Sequence, residues 1–182
     1  MEKNENRRSK LTRRIFRDSL KELLLEKDFG RISVREICER ADMNRSTFYA
    51  HYVDQSDLLR DVEDEFLSCL KDAICQTGSR EFMERYLDFL QFIYTNGKLF
   101  LLLTAQNMNV RFRDRIIETV CTLLQSTGTA NPDDLFFTQK ISYAAAGSLL
   151  LIEKWVDGTT PAAVEDMAKL LLQLYSGIEH TM

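Results

Sequence analysis

Apolar positions in the first third of the chain recur every three or four residues. Leu11, Ile15, Phe16, Leu20, Leu23 and Leu24 keep to one face of a helix, predicting an element over about 10–27. The segment "KDFGR" ends it, with Gly30 suited to a left-handed terminal conformation. Ser33 followed three residues later by Glu36 is a capping box. Val34, Ile37, Cys38 and Ala41 then form one apolar stripe, so a short second helix is expected near 34–40. After "ADMN", Asn44 is suited to cap a third helix. Two short helices joined by about three residues have the dimensions of a helix-turn-helix. "STFYAHY" favours strand by propensity, but a lone strand here would have no partner. Asp54 caps a fourth helix, about 55–76, whose apolar positions are Leu58, Leu59, Val62, Phe66, Leu70 and Ile74.

Five more helices are expected at about 80–95, 98–105, 109–126, 132–156 and 161–179. Asn131-Pro132 and Thr160-Pro161 each set a capping residue before a proline at the first helical position. "TNG" at 95–97 interrupts one helical run, and no internal repeat appears. The fold class is therefore all-α, with about nine helices. "SYAAAGSLLLIEKW" packs small residues from Ala144 to Ser148, followed by Leu, Ile and Trp. In the last helix Val164, Met167, Leu171, Leu174 and Ile178 share one face, with Leu170, Leu172 and Tyr175 on others. A helix apolar nearly all round buries more than one face. The expectation is a homodimer through the last two helices; the alternative is a fully internal last helix.

Charge changes the picture. The net charge is −4 over 182 residues. Residues 1–60 hold 14 Lys and Arg against 11 Asp and Glu, whereas 61–182 hold 10 against 17. Screening confines electrostatics to about 10 Å at 0.1 M salt, so the local sign at a surface decides what it attracts. The N-terminal third, with Arg7, Arg8, Lys10, Arg13, Arg14 and Arg17, is the only anion-binding candidate. No apolar run is long enough to span a membrane and no secretory signal is seen, so a cytoplasmic location is expected. Cys38, Cys69, Cys75 and Cys121 form no C-x-x-C pair and are read as buried thiols, with redox sensing the alternative.

The residues offer little to enzyme chemistry. Phe48 and Gly177 stand three positions before His51 and His180, so no Glu-x-x-His metal motif exists. There is no phosphate-cradling glycine loop and no Cys/His ligand cluster, so no metal, no cofactor and no catalytic residue are expected. His51 alone lacks a Ser/Asp or Cys partner for general-base work.

The fragment "ISVREICERADMNRSTFYAHYVDQSDLL" resembles the helix-turn-helix of the tetracycline-repressor (TetR) family of bacterial transcription regulators. The resemblance rests on the Ser33 cap, Ala41, the aromatic pair Tyr49 and Tyr52, and Leu58 and Leu59. More weakly, Gly147, Trp155, Gly158 and Pro161 resemble the C-terminal signature of one branch of that family. Two positions depart from the pattern. Asp42 stands where glycine is usual, tolerable at positive φ better than most residues. Gln55 replaces a lysine, removing one phosphate partner.

The resemblance implies a DNA-binding domain over 1–55 and a dimerisation and effector domain over 56–182. It implies a dimeric regulator, a repressor, on a quasi-palindromic operator of double-stranded DNA. Its recognition helices would lie about one helical turn, roughly 34–36 Å, apart. Arg45 is the candidate guanine reader, since its guanidinium can bond O6 and N7 together. Ser46 and Thr47 suit a phosphate or a close base. Tyr49, His51 and Tyr52 would touch phosphates, with Tyr52 alternatively in the core, and Ser33 would hold a phosphate at its helix terminus. Phe48 plugs the core. Phe100, Met108, Tyr143 and Trp155 are candidates for an effector pocket, an apolar small molecule fitting best, unless they are plain core. A rival reading is a TetR-like chain acting through a protein partner; a helical-bundle enzyme is a distant third.

Overall fold

The computed structural model describes residues 2–74, 80–105, 110–126 and 136–179. Among them there are nine α-helices and no strand. The chain divides into two compact units, Met1–Phe66 and Leu67–Met182.

In the first unit α1 (Glu2–Glu26), α2 (Val34–Arg40) and α3 (Arg45–Tyr49) precede α4 (Gln55–Ile74), whose later turns belong to the second unit. Helix α1 begins well before the expected residue 10. Its opening residues are mostly polar helix formers, so propensity sustains a stretch that apolar periodicity does not mark. After α1 the chain makes a 3-10 turn at Phe29–Arg31. Gly30 sits inside that turn and does not take the left-handed conformation expected of it, because Arg31 and Ile32 amides bond back to Asp28 and Phe29 carbonyls. The core of the unit includes Phe16, Leu20, Ile37, Phe48 and Leu58, all fully buried.

The capping chemistry matches the sequence. Ser33 and Glu36 form the reciprocal box that opens α2. Asp54 accepts the Ser56 and Asp57 amides at 2.8 and 2.9 Å to open α4. Between α2 and α3 the backbone turns at Asp42, whose φ is +51°. That is the left-handed region where a glycine is cheaper by about 1 kcal/mol or more, and aspartate is among the few other residues that adopt it.

The second unit contains α5 (Arg80–Thr95), α6 (Gly97–Thr104), α7 (Val110–Ser126), α8 (Phe137–Val156) and α9 (Val164–Glu179). Helix α8 packs on α6, α7 and α9, and α5 packs on α9. The expected Asn131-Pro132 start of α8 lies outside the described residues. Helix α9 starts at Val164, three residues later than expected, so Pro161 does not occupy its first turn. The intervening residues form a turn: Gly158 at φ +83°, Thr160 N–H bonded to the Lys154 carbonyl, and the Trp155 indole N–H donating to the Ala162 carbonyl at 2.9 Å. Ala163 provides the first helical acceptor instead, to Met167 N–H.

Where α6 meets the end of α8, contact is close. A Cβ on Gly97 would lie 2.5 Å from Val156 Cγ1. Valine is branched and stiff at χ1, so it cannot swing clear. Gly97→Ala should lower stability by about 1–3 kcal/mol through overpacking, read from denaturant midpoints; an unchanged midpoint would show that α6 can shift away.

Candidate nucleic-acid interface

Helix α3 is five residues long, too short to persist alone. Two anchors hold it. Inside, the Phe48 ring meets Phe16 edge-on at 5.4 Å and Tyr52 at 5.5 Å. At its start the Asn44 side-chain oxygen accepts three hydrogen bonds: from Thr47 N–H at 2.8 Å, and from the Ser46 and Thr47 hydroxyls at 2.7 Å each. The amide donor identifies this atom as oxygen, so both hydroxyl protons are committed to it. Ser46 and Thr47 therefore offer lone pairs outward. They suit the amino groups of adenine or cytosine better than a phosphate oxygen.

Tyr52 is 3 % exposed, which answers the open choice between core and contact. Its hydroxyl donates to Asp61 Oδ2 at 2.6 Å, and the Arg13 guanidinium lies 5.4 Å from its ring centroid. Burial, reinforced by the Asp61 carboxylate, pushes the phenol well above its usual range. Tyr52 is thus a core residue with an internal partner and not a free phosphate donor. Asp61 also receives Arg13 at 3.2 Å and Arg17 at 3.4 Å. One carboxylate on α4 thereby ties together α1 and the end of the helix-turn-helix.

Other expected contacts lie differently. Arg45 is exposed, Tyr49 is 58 % exposed, and His51 is half-buried. Ser33 is exposed, but its hydroxyl donates to Glu36 Oε2 at 2.9 Å while accepting the Glu36 amide at 3.3 Å. The Glu36 carboxylate at that terminus opposes a second anion, so Ser33 is better read as a cap. Arg35, passed over in the sequence, borders the same recess as Arg45, together with Glu39 and Asp42. Its ion pair with Glu39 at 2.6 Å is an ordinary (i, i+4) helix contact, which is why periodicity gave it no special standing. Of the cysteines, Cys38 is buried and its thiol is raised by burial, Cys69 and Cys121 are half-buried, and Cys75 lies outside the described residues.

The residues expected to line an effector pocket lie in different surroundings. Phe100 and Trp155 are buried, whereas Tyr143 is 76 % exposed on α8. Met108 lies outside the described residues. Trp155 instead packs beneath Tyr94, ring centroids 4.9 Å apart. Among the described residues no group of His, Cys, Asp or Glu has the makings of a metal site. No described helix is long and apolar enough to cross a membrane.

A short capped helix presenting Arg45 and Tyr49, preceded by α2 and a tight turn, is the architecture of a helix-turn-helix. Residues 17–62 match the model for bacterial regulatory proteins of the tetR family. The match covers the helix-turn-helix and its flanking helices, 46 of the 182 residues. No curated protein sequence matches the chain. Solved structures share the fold over nearly the full chain. The dihydroxyacetone kinase operon activator DhaS is 17% identical, with a TM-score of 0.67 over 93% of this chain and 97% of its own. A TetR transcriptional regulator from Streptococcus agalactiae 2603V is 23% identical, with a TM-score of 0.59 over 96% and 99%. A TetR-like transcriptional regulator from Rhodococcus sp. RHA1 is 21% identical, with a TM-score of 0.60 over 90% and 93%.

The capping box has a pH signature. The Lys27 ammonium, then the Ser33 amide and hydroxyl, lower Glu36 from 4.5 to about 2. A depressed carboxylate contributes stability above its unfolded pKa and loses it as pH falls through the folded one. Glu36→Gln should therefore flatten acid destabilisation between about pH 4.5 and 2, measured as thermal midpoints across that window. A variant whose midpoints run parallel to the parent's throughout would remove the box from acid unfolding.

Proposed function

We propose that the chain is a dimeric regulator that binds a quasi-palindromic operator through α3. Residues 1 to about 55 bind DNA and the remainder carry dimerisation. The observation that carries this reading is the exposed Arg45 at the start of a capped helix whose inner face is locked by Phe48. Arg45 reads guanine, Ser46 and Thr47 accept from amino-bearing bases, and Tyr49 reaches a phosphate with its hydroxyl. Repression follows from occupying the operator; a small effector would release it by favouring a spacing that misfits the site. Activation is a second reading, favoured by the description of DhaS as an operon activator.

Selection from random duplexes tests the central claim, because a two-fold reader enriches two half-sites related by symmetry. Arg45→Ala should relax preference at one position per half-site, at about 1–3 kcal/mol. Lack of palindromic enrichment at low salt would sink autonomous operator binding and favour action through a protein partner.

Dimerisation rests on a second surface. Tyr143, Ala146, Gly147 and Leu150 are exposed along one face of α8, and Leu170 and Leu174 along α9. Leucines left in water on two neighbouring helices favour a matching copy, and the small residues let the helices approach closely. Sedimentation at micromolar concentration should give a dimer of the 21.2 kDa chain, and Leu150→Lys should give monomer. A parent sedimenting as monomer would refute this surface.

A further inference from the structure

The six basic side chains between positions 7 and 17 of α1 fall into two sets. Arg13 and Arg17 are bound to Asp61, at 3.2 and 3.4 Å, and hold α1 to α4. Arg7, Arg8 and Lys10 are exposed and pair with no acid among the described residues. Arg14 makes only a loose 3.7 Å contact with Asp18, both side chains largely in water.

The unpaired set is continuous with the recognition surface. Arg7, Arg8, Lys10 and Arg14 border one shallow recess around Leu11, itself 56 % exposed. A second recess joins Arg8 and Thr12 to Asn44, Thr47 and His51. Arg8 borders both, so the basic end of α1 runs into the capped end of α3. On a helix rising 1.5 Å per residue, Arg7 to Arg14 covers about 10 Å. That is roughly three phosphates of one strand at 3.4 Å of axial rise each. Residues 1–60 hold 14 Lys and Arg against 11 Asp and Glu in this net-acidic chain, so the attraction is local to this end of it.

We propose that the first turns of α1 are a phosphate-tracking arm. Arg7, Arg8 and Lys10 neutralise consecutive backbone phosphates beside the bases reached by α3, while Arg13 and Arg17 fix the arm in place. The assignment rests on reading the first unit as a duplex-DNA binder, and it adds which cations carry the salt dependence. Because the arm continues a helix already anchored at Phe16, its contribution is electrostatic and indifferent to sequence.

The test compares the parent with the triple variant Arg7→Ala, Arg8→Ala, Lys10→Ala. Binding is measured between 50 and 200 mM salt, on the selected site and on a random-sequence duplex of equal length. Each phosphate contact contributes about 0.9 to the slope of log affinity against log salt. The triple variant should lose about 2–3 from that slope on both duplexes. Its fall in affinity across the salt range should then be roughly 40-fold smaller than the parent's, if all three contacts are made. Its selected motif and thermal midpoint should be unchanged. Arg13→Ala should do the reverse, lowering the midpoint while changing the slope by less than about one. An unchanged slope in the triple variant overturns the arm even where operator selection succeeds. A changed motif also overturns it, making these residues base readers. Because the random duplex reads the arm without an operator, failure of operator selection leaves this result independently decided.

Discussion

A helix of five residues has almost no stability of its own in water, since nucleation costs more than so few backbone bonds return. Helix α3 exists because its surroundings leave it no other conformation. Phe48 is clamped between Phe16 and Tyr52, and the Tyr52 hydroxyl ends on Asp61. The same carboxylate collects Arg13 and Arg17, so α1, the end of the helix-turn-helix and α4 meet at one polar point. The reading surface inherits its geometry from that junction. A buried tyrosine that would strand its hydroxyl elsewhere is fully used here.

Charge in this molecule acts by location. The protein is acidic overall, yet several acids of the first unit sit against particular cations: Glu36 with Lys27, Glu22 and Glu26 with Arg40, Glu39 with Arg35, Asp61 with Arg13 and Arg17. These pairs withdraw cations from the solvent as well as fixing helices. Arg7, Arg8, Lys10 and Arg45, exposed and in no ion pair among the described residues, border the recesses at the starts of α1 and α3.

The second unit shows a different division of labour. Its interior is tightly fitted, with Gly97 against Val156 and Trp155 beneath Tyr94 and bonded to Ala162. Trp155, one of the aromatics expected near a ligand cavity, packs against Tyr94. Helix α8 carries both a buried stripe (Ile141, Ala145, Leu149, Ile152 and Trp155) and an outward face with Tyr143 and Leu150. Helix α9, which periodicity marked as apolar on more than one side, likewise buries Met167 and Leu171 and leaves Leu170 and Leu174 exposed.

The helix order, the capping box at Ser33, the caps at Asn44 and Asp54 and the special backbone at Asp42 were all legible in the sequence. Each is set by residues within about four positions of one another, where side chain and backbone meet whatever else folds. The resemblance to TetR regulators was legible for the same reason. Partner choice across the fold was not. Nothing near Tyr52 indicates that its hydroxyl ends on Asp61, nor do Arg13 and Arg17 differ in type from Arg7 and Arg8. Ser33 and Glu36 fulfil their local motif, and by doing so remove Ser33 from phosphate binding. Tyr143 and Trp155 share a helix, yet rotation about its axis exposes one and buries the other. Local chemistry determined which elements form; only packing between distant elements decided which polar groups they consume and which they leave facing the solvent.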